Sequence, residues 1–368
     1  GAPACHLLAS ARVALAATLL ALRHHSGRSQ VVIPAYTCPT VVQSVLAAGL
    51  EPVLCDMSTE TFGLDSRALE SKIGDQVLAV VPVHLYGLAQ DVRGLVALGD
   101  DRDFFVVEDA AQAYGARFQG RMVGTWGHAG IYSMGRGKCM PAGHGGIVVA
   151  GERCADAIAR TVESEVELAA GRGFASLPLF AGYGLATRPV GWWFVVHTPL
   201  NPADEGMDYA DLPPIQMRSM APAYAGLGFS ILRRLPSIQD TCRQNAGRLM
   251  DLLARFDFVR LPYIPAGAEP VFLRLPFIVD GQERARRLFE RLWSAGTGVS
   301  RSYYRTLAEL CAGMFPSADE EYPGASELAA CLLTLPTHPY LADQDFSRIA
   351  RAFYDVASEG GKGARTTT

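Results

Sequence analysis

The chain has no basic stripe, no apolar stretch of bilayer length, no CxxC pair and no internal repeat, and each absence removes a class of function. Its 33 Lys and Arg stand against 37 Asp and Glu, a formal charge of -4. Nucleic acids and anionic membranes call for a basic patch or stripe, so neither is expected as a partner. The most apolar long stretch, Ala9 to Leu22, is interrupted by Arg12 and is too short to span a bilayer. No charged n-region followed by a small-residue cleavage site marks a signal peptide. The eight cysteines, Cys5, Cys38, Cys55, Cys139, Cys154, Cys242, Cys311 and Cys331, are scattered without ligand-like spacing. In a chain this large they read as reduced thiols of a cytoplasmic protein, without structural zinc or another metal.

What is present is ordinary globular composition: 368 residues, 49% hydrophobic and 19% charged, enough for one large domain and a smaller one. The informative stretch runs from Phe104 to Ala150. Phe104 to Val107 is a continuous apolar run, the pattern of a strand covered on both faces in a parallel sheet. Glu108 and Asp109 follow at its carboxyl end, where open α/β sheets place ligand chemistry. Gly130 to Met134 predicts another strand. Just beyond it Lys138 lies in Met-Gly-Arg-Gly-Lys-Cys, a glycine-rich turn able to hold a lysine inward. Taken singly, the lysine reads as a solvated loop residue and the aspartate as a helix N-cap. Their joint occurrence with the flanking motifs reverses that reading.

Those motifs are VVEDAAQAYGA, then GxxVGxxGxxxxxSxxxxK and GxGG, with IPAYTCPT, PVLCD and PVHLYG upstream and LPTHPYL near the end. Together they resemble the DegT-type sugar aminotransferases, a family of fold type I enzymes that use pyridoxal 5'-phosphate (PLP). The resemblance covers nearly the whole chain. It implies that Lys138 is the Schiff-base lysine, that Asp109 faces the pyridine nitrogen, that Gln112 lies beside the ring and that Ser133 contacts the phosphate. It also implies a homodimer with each site at the subunit interface.

The chemistry explains those residue types. PLP acts as an electron sink while its ring nitrogen stays protonated, and a buried carboxylate such as Asp109 holds that proton through a charge-assisted hydrogen bond. A lysine that attacks the cofactor aldehyde and later shuttles a proton must be neutral part of the time. Gln112, three residues past Asp109, is one helical turn away if a helix follows the strand at once. The implied reaction is transamination from an amino acid, glutamate or glutamine, to a keto-sugar, cyclitol or related carbonyl. The alternatives are a PLP-dependent lyase or isomerase and a non-catalytic regulatory protein on the same fold. Lys138 tilts the choice, because relatives that dehydrate sugars typically carry histidine at that position.

In chain order, Ser10 is a good N-cap for the helix-favouring ARVALAATLLAL. In the resembled family this helix start binds the PLP phosphate, and free N–H groups with the helix dipole favour an anion there. Ser10, Ala11 and Arg12 are the candidates, with a plain capped helix as the alternative. Val31 to Pro34 predicts a strand, followed by a helix from Pro39 to Gly49. Relatives carry an aromatic residue that stacks on the ring where this chain has Cys38, so either Cys38 packs its sulfur on the ring face or Tyr36 turns inward. Glu51 to Asp56, Val77 to His84 and Phe104 to Val107 alternate with helices over Asp65 to Ile73 and Asp91 to Gly99, the signature of βαβ units. His84 and Tyr86 read as structural.

Past Ala150, helices are predicted over Cys154 to Ala170, Met217 to Leu235, Gln239 to Phe256, Gln282 to Ala295 and Phe346 to Ala357, with a strand over Val271 to Val279. Gly171 to Pro214, including Trp192 and Trp193, is long for a structureless loop and suits a functional or interfacial role. The asparagine that relatives lend to the partner's phosphate site has no match, leaving Arg218 or Gln216 as substitutes. Arg301 and Tyr303 follow a turn where relatives place substrate-facing groups. His144 replaces the usual glutamate of GEGG. The expected fold class is α/β, a large PLP-binding domain over 1–238 with a mostly parallel sheet flanked by helices, a small α+β domain over 239–357, and a disordered tail over 358–368.

Overall fold

The computed structural model describes residues 4–169, 171, 173, 212–312, 314–315 and 321–362. Most of the Gly171 to Pro214 segment, with Trp192 and Trp193, lies outside the described residues. The alternation read from the sequence becomes a seven-stranded sheet. Its strands are β1 (Ala4–Leu8), β2 (Gln30–Pro34), β3 (Glu51–Cys55), β4 (Val77–Val80), β5 (Phe105–Asp109), β8 (Ala129–Ser133) and β9 (Gly146–Ala150). The spatial order is β1-β9-β8-β5-β4-β2-β3. From β3 to β8 every pairing is parallel, while β9 runs antiparallel to both β8 and β1. β4 is buried throughout, as expected where helices cover both faces.

The connecting helices are α1 (Ala11–Arg23), α2 (Thr40–Ala47), α3 (Ser66–Lys72), α4 (Arg93–Arg102) and α5 (Ala155–Glu165). Each begins or ends on a local signal. Ser10 caps α1, its hydroxyl accepting the Val13 N–H, and Asp65 caps α3 through the N–H groups of Arg67 and Ala68. Gly49 takes a φ of 68° just after α2, a conformation glycine adopts without strain.

After α5 come α6 (Pro222–Leu232) and the long α7 (Leu235–Leu253). α6 starts later than its apolar pattern suggests, because Ser219 bridges to Leu8 and the Met220 N–H donates to the Leu7 carbonyl, keeping that stretch extended. The C-terminal part holds β10 (Val259–Arg260), β12 (Arg274–Val279) and β13 (Leu332–Pro336) in an antiparallel sheet. α8 (Gln282–Ser294), α9 (Leu307–Leu310), α10 (Pro323–Cys331) and α11 (Asp343–Lys362) accompany it. A third small sheet joins β6 (Arg117–Phe118) and β7 (Arg121–Met122) to β11 (Ala268–Glu269). α11 continues through Lys362, past the Ser358 at which the sequence reading began a disordered tail. Glu359 pairs with Arg291 of α8 and gives the added turns an anchor.

One close approach sets the position of the α1 terminus. A Cβ added at Gly146, the first residue of β9, would lie 2.3 Å from the Ser10 carbonyl oxygen and 2.6 Å from the Ala11 nitrogen. Only glycine lets β9 press its backbone onto the start of α1. Gly146→Ala should therefore cost roughly 1–3 kcal/mol of stability, the usual range for overpacking. A urea denaturation midpoint unchanged from wild type would contradict this account.

Candidate active site

The chemistry gathers at one edge of the large sheet, the carboxyl ends of β5 and β8. Asp109 ends β5 and is 7% exposed. Its Oδ1 accepts the Ala111 N–H at 2.9 Å, and among the described residues no ion pair within 4 Å involves it. Burial pushes its carboxyl up, opposed by the Ala111 N–H and by the charges of Lys138 and His84. A buried carboxylate without a cationic contact is costly unless a ligand supplies one.

Lys138 stands on the turn after β8. Its N–H donates to the Gly135 carbonyl at 3.3 Å, Gly137 takes a φ of 71°, and its Cγ lies 3.9 Å from where a Gly135 Cβ would be. Its Cγ thus folds against Gly135, and its charge is felt at Asp109. Ser133 is buried and its Oγ accepts the Gly135 N–H at 3.2 Å.

Ser133 also lies beside the α1 terminus. In the antiparallel ladders it pairs with Gly146, which pairs with Leu8 two residues before Ser10. Ser10 bridges to Gly145. The N–H groups of Ala11 and Arg12, in the first turn of α1, have no intrahelical acceptor and stand at the same end of the sheet. The Arg12 guanidinium is turned away, donating to Gln43 Oε1 at 3.2 Å and to the Pro213 carbonyl at 3.3 Å. Only its backbone N–H remains at this corner.

Gln112 does not project freely. Its Oε1 accepts the Tyr86 N–H at 2.8 Å and its Nε2 donates to the Tyr303 hydroxyl at 3.2 Å. The carbonyl of the same residue accepts from the Cys139 thiol at 3.1 Å, and burial pushes that thiol up to about 12. Gln112 therefore ties the Lys138 turn, the Tyr86 turn and Tyr303 together. Tyr86 pays for its place with a left-handed backbone, φ 57° and ψ 14°, strain that persists only when surroundings over-determine it.

Tyr36 and Cys38 separate clearly. Tyr36 is fully buried, its hydroxyl 3.3 Å from that of Tyr86 and its ring edge-on to Tyr303 at 5.4 Å. Burial holds the Tyr36 and Tyr303 phenols well above their ordinary value. Cys38 is half-buried, with Sγ 3.0 Å from Thr40 Oγ1. Of the other flagged residues, Arg301 is turned onto the Ala329 and Ala330 carbonyls at the end of α10. Arg218 pairs with Glu167 at 3.5 Å, Gln216 is exposed, and His144 packs against the Tyr224 ring at 5.4 Å. Two residues escaped the sequence reading: Ser302, which hydrogen-bonds the Tyr86 hydroxyl, and Arg274, whose signal was a lone charge inside the apolar run from Val271 to Val279.

His84 is fully buried and fully employed. Its Nδ1 accepts the Gln90 N–H at 3.1 Å, so Nε2 carries the proton and donates to Glu108 at 2.9 Å. Glu108 further accepts the Gly124 and Gly127 N–H groups at 2.8 and 2.6 Å. Glu108→Ala strands three buried donors at once and should cost about 3–5 kcal/mol. A thermal melt at the wild-type temperature would show that this network is not holding β5.

A seven-stranded, mostly parallel sheet with a buried carboxylate at the end of β5, a lysine on the turn after β8 whose charge acts on it, and a helix N-terminus near Ser133 matches the fold type I class of α/β enzymes. The chain belongs to the DegT/DnrJ/EryC1/StrS aminotransferase family, whose pattern matches residues 1–174 and 209–354. It is 28% identical over 344 residues to the UDP-N-acetyl-3-dehydro-alpha-D-glucosamine 3-aminotransferase of Acidithiobacillus ferrooxidans, covering 93% of this chain and 81% of that protein. It is 37% identical over 123 residues, 33% of this chain and 29% of the other, to L-glutamine:2-deoxy-scyllo-inosose aminotransferase of Micromonospora echinospora. Among solved structures, aminotransferase TlmJ from Streptoalloteichus hindustanus superposes with a TM-score of 0.74 at 22% identity, over 96% of this chain and 86% of that one. That likeness shows the fold. No helix of the described residues is long and apolar enough to cross a membrane.

Proposed function

We propose that this aminotransferase uses PLP to move an amino group from an amino acid, glutamate or glutamine, to the carbonyl of a keto-sugar, cyclitol or related acceptor. The observation that carries the reading is Asp109 together with Lys138: a buried carboxylate lacking a cationic contact, with a lysine charge acting on it from the next strand's turn. A protonated pyridine nitrogen fits Asp109, and a phosphate fits the corner of Ser133, Ser10 and the Ala11 and Arg12 N–H groups. When bound, PLP supplies an electron sink at the donor's α-carbon. Asp109 would hold a proton on the ring nitrogen. Lys138 would hold the group and, as a free amine, would move the proton at the donor's α-carbon. Gln112, fixed from both ends, would lie beside the ring. A lysine rather than a histidine at 138 favours transamination over dehydration.

Lys138→Ala should abolish the visible absorbance of the bound cofactor. Asp109→Asn should keep cofactor but lose turnover by about 10- to 100-fold, the worth of a charge-assisted hydrogen bond. An amino donor alone should bleach the visible band of the wild-type protein and release one equivalent of keto acid. A donor panel that leaves the spectrum unchanged, while a keto-substrate is consumed without gaining nitrogen, would favour the lyase or isomerase reading.

The working unit is a homodimer in the same proposal. α6 is apolar all round yet buries only Ala223 and Gly228, and Phe229 and Leu232 on it stay 66% and 39% exposed, with Ile238 of α7 at 37%. Contiguous exposed apolar surface of this kind marks an interaction site. Phe229→Asp should halve the sedimenting mass of a dimeric wild type; a wild type that sediments as a fully active monomer would refute the dimer.

A further inference from the structure

A cavity of about 390 Å³ opens between α3 and α4, on the face of the large sheet away from the Asp109 side chain. Val106 packs in the cluster under these two helices and Val107 in the main core, and alternation along β5 places Asp109 with Val107. Leu69 of α3 with Ile73 just after it, and Leu95 and Leu98 of α4, wall the cavity, while Pro82 and Val83, just past β4, line it from the sheet. Ile73, Leu95 and Leu98 are only half-buried, so the two helices leave apolar surface facing open space.

Two features mark this space as kept open. Gly94 lies in the first turn of α4 and lines the cavity, and a Cβ there would meet nothing within 4 Å. Its φ is outside the left-handed region. Neither backbone nor packing among the described residues calls for glycine at 94, and glycine weakens a helix. The second feature is the charge at the mouth. Asp91 is taken by Arg93, whose Nε and one terminal nitrogen each donate to it at 2.9 Å, and Arg102 lies 3.6 Å from Asp101. Glu70, also at the cavity, has no ion pair or hydrogen bond among the described residues. One uncompensated carboxylate beside an apolar wall suits a cation with an apolar body.

We propose that this cavity is a second binding site, for a small organic cation whose charge turns to Glu70 and whose apolar body lies among Leu69, Leu95 and Leu98. The site stands apart from the aminotransferase reading, yet its position gives it a hold on Asp109. The Pro82 carbonyl accepts the Asp109 N–H at 2.8 Å, and the Asp109 carbonyl accepts the His84 N–H at 3.0 Å. Gln90, at the cavity, donates its own N–H to His84 Nδ1 at 3.1 Å. An occupant that firms the Pro82 and Gln90 segments thereby steadies the backbone from which Asp109 projects, which couples the two sites through local order rather than through contact.

The test is calorimetric titration, with and without added PLP, using benzyltrimethylammonium, a quaternary cation that cannot condense with an aldehyde. Binding is expected at about 0.1–1 mM, fitting for a probe of this size. Benzyl alcohol and phenylacetate, its neutral and anionic counterparts, should bind several-fold more weakly, and E70Q should weaken the cation by roughly 3- to 5-fold. G94L, which fills the cavity from α4, should abolish binding without lowering the melting temperature, and L95W is read in the same way if G94L does not fold. Hydrogen exchange at the Asp109 amide should slow when the cation saturates the wild type. Wild-type affinity in the filled variant, tighter binding of phenylacetate, or no binding of the cation at ten times the expected concentration overturns the inference, and an unchanged exchange rate overturns the hold on Asp109. A protein that binds the cation through Glu70 and Gly94 but takes up no PLP keeps this site and removes the aminotransferase reading.

Discussion

Two carboxylates stand side by side at the end of β5, and the site depends on satisfying the hydrogen bonds of one while sparing the other. Successive side chains on a strand point to opposite faces, so Glu108 and Asp109 take different hydrogen-bond partners. Glu108 receives the His84 imidazole and the N–H groups of Gly124 and Gly127. Asp109 receives one backbone N–H and is otherwise left for chemistry. The glycines of VGTWGHAG follow from this need. A Cβ at Gly127 would lie 2.7 Å from the Val106 carbonyl oxygen, and one at Gly130 would lie 2.0 Å from that of Gly124. The turn must approach β5 backbone to backbone to bring its N–H groups onto Glu108.

The same economy shapes the opposite side of the sheet edge. The turn from Met134 to Gly145 is closed by the Met134 N–H on the Gly145 carbonyl at 2.8 Å and by the Gly135 to Gly143 bridge. It is joined to Gln112 through the Cys139 thiol, whose burial keeps it protonated and able to donate. Lys138 is thereby carried on a frame fixed to β8, β9 and the Asp109 segment. Positioning of this kind is what lets a lysine act on a bound group without a large reorganisation.

The residues of the candidate site on the large sheet could be picked out of the sequence because they are marked by local patterns. Asp109 follows an apolar run, Lys138 sits among glycines, Ser10 precedes a helix-forming stretch, and each needs only its own neighbours to be read. The strands at Gln30–Pro34, Glu51–Cys55, Phe105–Asp109 and Ala129–Ser133 came through to within two residues for the same reason, whereas the expected Val77 to His84 strand stops at Val80 and the expected Val271 to Val279 strand begins only at Arg274. Partnerships over long separations did not. Nothing local says that the Arg12 side chain turns to Gln43, that Arg301 turns onto α10 rather than the site, or that Tyr36 is spent on Tyr86 and Tyr303. Packing decides these. Where local pattern and packing disagreed, as in the late start of α6, backbone pairing across Leu8 and Ser219 overrode an apolar period.

That division of legibility matches a division of labour. Asp109, Gln112, Ser133 and Lys138 all precede residue 151 and lie on or beside the large sheet, whereas Ser302, Tyr303 and Arg274 come from the C-terminal part. Tyr303 reaches Gln112 across that divide, and its phenol senses both Cys38 and Asp109. On the proposed reading, the groups that would meet the cofactor lie on the large sheet, and Ser302 and Tyr303 reach the same place from the C-terminal part. If the C-terminal residues meet the acceptor, its choice can vary through them while Asp109, Gln112, Ser133 and Lys138 keep their geometry, so a pattern shared across a family would identify the chemistry before the substrate.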